Sequence, residues 1–233
     1  METNFDACVN DYRDIINRVS KLSGEGYEYF IKLRISLMKA QLQKTIATDA
    51  LDDYSILDFG CGTGATEIAM KESFPRAAIY GVDTSRESIA AARKLGLPDV
   101  LFMTSNKAAL LFDDNSIDLI YSNGTFHHMQ YHSHGLVLRD LLRVLKKGGQ
   151  IFIFENNPYN PLMMKAMRNN PFDKDVNVIH PNYLKRILTT AGFVINTANY
   201  YFFFPRFLKI LRPMEKHLRS LPIGAQYFVS ASK

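Results

Sequence analysis

Cysteine is scarce in this chain. Only Cys8 and Cys61 occur in 233 residues, so neither a disulfide framework nor a metal-binding cysteine quartet can be built. Long apolar runs are also missing: no stretch approaches the roughly 20 residues of a membrane span. Residues 1–14, METNFDACVNDYRD, are acidic and polar and lack the charged-then-apolar order of a secretory leader. Together these features predict a reducing, cytoplasmic setting. Most of the chain also lacks an excess of either charge. The net charge is +5, but residues 205–233 hold Arg206, Lys209, Arg212, Lys216, Arg219 and Lys233 against Glu215 alone. The rest of the chain is balanced, which argues against a chain-wide nucleic-acid face. What is present is enough apolar residue, 47% of the chain, for one α/β domain with an accessory element.

The most informative stretch is 54–64, YSILDFGCGTG. Ile56 and Leu57 read as a short buried strand. Gly60, Gly62 and Gly64 follow at alternate positions, and residues 65–71, ATEIAMK, begin a helix. A strand, a glycine turn and a helix N-terminus form a cradle for a nucleotide-bearing cofactor. Asp83 ends a second apolar run, 77–82, at a distance suited to a pair of ribose hydroxyls. Gly60-x-Gly62-x-x-Ala65 also satisfies the relaxed dinucleotide fingerprint. However, the carboxylate of Asp58 just before the turn disfavours a pyrophosphate. It favours a ligand bearing a sulfonium and an amine, such as S-adenosylmethionine (SAM).

Four segments, ILDFGCGTG at 56–64, GVDTS at 81–85, FDDNSIDLIYSNG at 112–124 and VLKKGG at 144–149, resemble the successive motifs of the class I SAM-dependent methyltransferases. The nearest likeness is to their small-molecule, methyltransferase type 11-like branch. The resemblance covers about residues 50–155. It implies a SAM cofactor and a Rossmann-like, doubly wound, mostly parallel seven-stranded sheet whose terminal strand pair adds an antiparallel strand. It does not name the acceptor.

Periodicity predicts amphipathic helices over 5–22 and 27–48, an N-terminal helical cap over residues 1–50. Residues 51–233 then form the methyltransferase domain. Strands are predicted near 54–59, 78–83, 99–103, 117–122, 150–154, 193–201 and 226–231. Helices are predicted near 64–73, 85–95, 134–146 and 181–191, with Gly148 and Gly149 closing the third. Residues 155–180 are expected as an irregular loop on the acceptor side. Residues 205–221 are expected as a helix kinked at Pro213, with Phe207, Leu211, Met214, Leu218 and Leu221 on one stripe and the basic residues opposite.

By the resemblance, Gly60, Cys61 and Gly62 pass close to the methionine part of SAM, and Asp58 faces its ammonium. Asp83 accepts the ribose hydroxyls and Thr84 lies against the adenine. Asn106 replaces the aspartate that meets the adenine amine in many relatives, and Asn123 closes the fourth strand beside the cofactor. His127 and His128 follow that strand in the loop that faces the transferable methyl, which makes them candidate general bases for an oxygen acceptor. Tyr29, Arg34, Glu155 and Tyr159 are expected to line the acceptor opening. His132 and His134 read as a solvated turn and helix start. No metal site is expected, since adjacent histidines should point apart.

The activity implied is methyl transfer to a small molecule, at a hydroxyl of a sugar, lipid-linked or secondary-metabolite intermediate. N-methylation, a non-catalytic SAM-binding protein and a nicotinamide-dependent oxidoreductase are the alternatives. No nucleic-acid partner is expected. Residues 200–221, with YYFFF before the basic segment, are a candidate membrane or lipid contact.

Overall fold

The structure is a computed structural model that describes residues 15, 17–18, 23–46, 51, 53–105, 110–173 and 176–233. Most of the predicted first helix, Cys8 and Asn106 lie outside these residues. In chain order the elements are α1 (Tyr27–Leu42), β1 (Ser55–Phe59), α2 (Ala65–Ser73), β2 (Ala78–Asp83), α3 (Arg86–Arg93), β3 (Val100–Thr104) and β4 (Ile117–Asn123). A single 3₁₀ turn, Phe126–His128, comes next. Then come α4 (Tyr131–Val144), β5 (Leu145–Asn156), α5 (Pro161–Asn169), α6 (Pro181–Ala191), β6 (Val194–Tyr201), α7 (Glu215–Leu218) and β7 (Gln226–Ser232).

The seven strands form one sheet in the order β3-β2-β1-β4-β5-β7-β6. All pairings are parallel except those of β7, which runs antiparallel to β5 and β6. The strand order reverses between β1 and β4, so the ends of those strands open a crevice.

Two-residue alternation along the central strands builds a core on each face. Leu57, Ile120, Ile153 and Val229 point into one core, with Leu138 and Leu141 of α4 and Leu184 and Leu188 of α6. Their chain neighbours Ile56, Leu119, Phe152 and Phe228 point into the other, with Met70 of α2 and Ile35 and Met38 of α1. The helix at 27–42 thus shares the core of the sheet. It buries Arg34 along with its apolar face.

Three segments differ from expectation. The stretch 155–180 contains α5, started by Pro161 and capped by Asn160, whose side chain accepts from Met163 N. α4 ends at Val144, and Gly148 and Gly149 fall within β5, where the register against β4 shifts. Residues 206–214 form a 3₁₀ segment broken at Leu208, followed by the single turn of α7. With three residues per turn, the supposed apolar stripe does not face inward. Phe207 and Met214 are exposed, as is Ile210. Arg212 instead turns in, donates to Phe204 O and pairs with Glu25 at 2.8 Å.

Candidate active site

The turn after β1 is shaped by what its glycines face. Gly60, Gly62 and Gly64 all have positive φ, a region L-residues avoid. A Cβ on Gly60 would fall 2.1 Å from Thr125 Oγ1, because the loop after β4 packs directly on the turn. Thr125 Oγ1 itself donates to Phe59 O. Among the described residues, a Cβ on Gly62 would meet nothing within 4 Å. The backbone at Gly62 therefore fronts open space, a surface on which a ligand can lie against the main chain.

Asp83, at the end of β2, closes the turn from the other side. Its Oδ2 accepts from Gly62 N at 2.9 Å and its Oδ1 from Ser85 N at 2.9 Å. Gly60 N and Cys61 N both donate to Val82 O. Thr84 is exposed beside Asp83, and Asn123 is half-buried at the end of β4. Cys61 is buried, and burial pushes its thiol well up, helped by the carboxyls around it.

Beneath the turn lie two buried acids. Asp58 is 2% exposed and Glu67, on the first turns of α2, is 0% exposed. Glu67 was not anticipated as a site residue. Its carboxyl fits because Gly81 has no side chain: a Cβ there would stand 2.8 Å from Glu67 Oε1. Apart from each other, Asp58 Oδ1 and the two oxygens of Glu67 find no hydrogen-bond partner among the described residues. Burial, then the charge of Asp83, raises Asp58 to about 8, against the pull of Glu67 and Arg34. Burial and Asp58 raise Glu67 well above the usual carboxyl range. Near neutral pH the pair therefore retains a proton.

Arg34 supplies the cation on this side. It lies buried under the sheet, where its Nε donates to Tyr121 Oη at 3.1 Å. Asp58 feels its charge. Its place is thus below the glycine turn. Tyr29 stands edge-on to Phe30 and Phe202, with the Arg212 guanidinium 4.8 Å from its ring centre.

The loop after β4 carries the second set of groups. His127 is buried and its Nδ1 lies 2.6 Å from Glu155 Oε2 of β5. Its Nε2 stands 3.5 Å from Asp173 Oδ1. His128, at the part-exposed edge, places Nε2 at 3.7 Å from the same oxygen. The two imidazoles lie with ring centres 4.3 Å apart. They do not diverge as adjacent residues in a strand would, because the 3₁₀ turn brings both to one side. Burial would lower His127, but Glu155 and Asp173 outweigh it and raise it to about 10. Burial, followed by the charge of His127, lowers His128 to about 3.

Several neighbours hold this loop still. His134 is fully buried, with Nε2 on Phe126 O and Nδ1 on Tyr183 Oη, so it is not part of a solvated turn. Asn157 is also buried. It donates to Pro222 O and Gly224 O and accepts from Tyr159 N, which makes 156–159 a structural staple. Tyr159 is exposed, with its ring edge-on to His180. Sequence reasoning missed Asp173, which sits in a 3₁₀ turn after α5 and belongs to no motif.

Residues 56–149 match the family model described as a methyltransferase domain. Trans-aconitate 2-methyltransferase of Azoarcus sp. (strain BH72) is 32% identical over 127 residues, which are 54% of this chain and 49% of that protein. Ribosomal RNA large subunit methyltransferase G of Colwellia psychrerythraea is 32% identical over 111 residues, 44% of this chain and 28% of that protein. The chain thus spans half or less of the length of these curated relatives. Among solved structures, a SAM-dependent methyltransferase from Thermotoga maritima, described as a possible histamine N-methyltransferase, superposes with a TM-score of 0.67 at 20% identity. All of both chains is covered. The matched segment spans β1 through the glycines of β5: residues 56–149 carry a methyltransferase domain, and the sheet order with its antiparallel β7 gives the chain the fold of the solved SAM-dependent methyltransferase.

Proposed function

We propose that this protein is a SAM-dependent methyltransferase that methylates a small-molecule acceptor at a hydroxyl. Acceptors of the sugar, lipid-linked or secondary-metabolite type are favoured. The observation that carries this reading is the packing of the histidine loop onto the cofactor turn through Thr125 and Gly60. It sets a proton-handling pair beside the place where a methyl donor lies.

The residues present fit SAM. Gly62 fronts open space, Asp83 presents a carboxylate already oriented by two amides, and Asp58 is a buried acid whose second oxygen has no donor apart from Glu67. When bound, SAM supplies an electrophilic methyl group, and the protein orients the reactants and excludes water. Asp83 would receive the ribose hydroxyls. Asp58 would become the counter-ion of the amine. His127, clamped by Glu155 and held cationic, keeps its neighbour His128 neutral, and the neutral His128 is the group that would receive the acceptor proton. A base lowered this far below neutrality works at the low end of the ~10²–10⁴-fold range of placed bases.

The relatives' acceptors range from a small acid to ribosomal RNA. The balanced charge of the first 204 residues supports the small molecule. Parallel calorimetric titrations with SAM, S-adenosylhomocysteine and NAD test the cofactor. Binding of the first two alone is expected, and binding of NAD alone would overturn the reading. Methyl transfer from labelled SAM to panels of hydroxyl compounds, amines and RNA fragments then tests the acceptor. Transfer to hydroxyls is expected, and transfer confined to amines or RNA would overturn that part.

A further inference from the structure

The groups around His127 do more than orient one base. Three potential ligands come from two distant parts of the chain: His127 and His128 after β4, and Asp173 after α5. Each offers one atom within 4.8 Å of the other two. The Nε2 atoms stand 3.5 and 3.7 Å from Asp173 Oδ1. Charge-assisted hydrogen bonds are shorter, about 2.7–2.9 Å. In a tetrahedral site with bonds of 2.0–2.1 Å, neighbouring ligand atoms are about 3.3–3.4 Å apart. These two separations are within a few tenths of an ångström of that edge, and the third, between the two histidines, is no more than 4.8 Å.

The surroundings match a metal site as well. A metal-bound histidine normally gives its other ring N–H to a carboxylate, which fixes the tautomer and leaves the second nitrogen's lone pair for the ion. Glu155 does this for His127, with Oε2 2.6 Å from Nδ1 and the carboxylate itself buried. The carboxylate ligand is positioned too: Asn170 Nδ2 donates to Asp173 Oδ2 at 2.8 Å, leaving Oδ1 turned to the histidines. His127 is deeply buried, whereas His128 and Asp173 keep part of their surface. One side of the triangle is therefore open.

We infer that His127, His128 and Asp173 form a three-ligand site for a divalent transition-metal ion, with Glu155 and Asn170 as its positioning residues and one coordination position open to the acceptor side. Two imidazoles and one carboxylate suit zinc, cobalt or iron(II) better than calcium or magnesium, which prefer all-oxygen shells. The open position would take water or an oxygen of the acceptor. With the ion bound, both Nε2 lone pairs are committed to it, and the acceptor oxygen is held by the metal in place of His128. The site's existence does not rest on the methyl-transfer reading, since its residues are distinct from the cofactor turn.

The test uses the full chain without an affinity tag, stripped with chelator and titrated with Co²⁺ alone. One equivalent retained through gel filtration, with the visible absorption of a low-coordinate cobalt site that Zn²⁺ abolishes, is expected. Asp173→Asn and His128→Gln should each lose that spectrum, and Glu155→Gln should weaken binding about 10- to 100-fold. His128 is part-exposed, so His128→Gln carries the test should Asp173→Asn fail to fold. No retained cobalt, or cobalt retained equally by the two ligand variants, overturns the inference. SAM titration of the same samples reports separately. Its failure would sink the methyltransferase reading and leave a positive cobalt result standing.

Discussion

The amide of Gly62 donates to Asp83 Oδ2 at 2.9 Å. This ties the turn after β1 to the end of β2 before any ligand arrives. The other oxygen is equally engaged by Ser85 N, so the carboxylate is fixed in orientation and only its remaining lone pairs are available. Asp83→Asn keeps the shape but must set its NH₂ group against the backbone N–H of either Gly62 or Ser85. An unmatched buried group costs about 1–3 kcal/mol. SAM affinity should fall about 10- to 100-fold, and Asp83→Ala should abolish binding. Calorimetry reads both, and unaltered affinity in the alanine variant would remove Asp83 from the cofactor site.

Gly60 and Gly62 look alike in sequence but should respond differently to substitution. A methyl at Gly60 collides with Thr125 at 2.1 Å, whereas one at Gly62 meets nothing within 4 Å. Gly62→Ala pays only the left-handed backbone penalty, about 1–2 kcal/mol, and should stay folded while losing SAM binding. Gly60→Ala should lower the melting temperature further and disturb the loop that carries His127. Thermal unfolding with and without SAM separates the two. Equal stability losses would show that the loop does not pack on the turn as described.

The buried acid pair should make cofactor binding pH-dependent. Asp58 titrates near 8 in the folded protein but near 3.9 when unfolded. A folded-state value raised in this way favours the protonated form. The stability contribution is therefore complete below about pH 4 and is lost as pH rises through about 8. A cationic ligand reverses the preference, because it needs Asp58 ionised. SAM should therefore bind more tightly as pH rises from 6 to 8, with release of a proton. Calorimetry at pH 7 in buffers of different ionisation enthalpy would show that proton. Glu67→Gln should reduce the release, and an observed heat independent of buffer would contradict the paired state.

The tail surface offers a separate expectation. Phe207 and Ile210 are 80% and 84% exposed, and Arg206 and Lys209 beside them are exposed as well. Apolar tips among cations suit the headgroup region of an anionic bilayer. The protein should float with anionic vesicles at low salt, and Phe207→Ser with Ile210→Ser should abolish flotation. No flotation of the unaltered protein would remove the idea.

The sheet was legible because its signals are local. Ile56-Leu57 before the glycines and the run ending at Asp83 are each a few residues long, and alternation places neighbours in opposite cores. The turn was legible for the same reason: positive φ demands glycine whatever lies around it. Glu67 was not, since an acid on the first turns of a helix ordinarily faces water. Only the missing side chain of Gly81, on the next strand, makes room for it. Asp173 reaches the histidines through a helix that opens at Pro161 in a stretch otherwise read as irregular. The 205–221 stripe misled because its spacing presumes 3.6 residues per turn, whereas the backbone there winds nearer three.

With Asp58 as the proposed counter-ion of the amine, Arg34 would link the first helix of the sheet's second face to cofactor recognition. Its guanidinium reaches from α1 to the hydroxyl of Tyr121, close enough for Asp58 to feel it. The docking of that helix and the ionisation of the acid beneath the turn therefore share one free-energy cycle. Whatever strengthens one must strengthen the other by the same amount. A bound amine that needs Asp58 ionised therefore also favours the docking of Arg34, so cofactor occupancy is registered by α1 as a tightening.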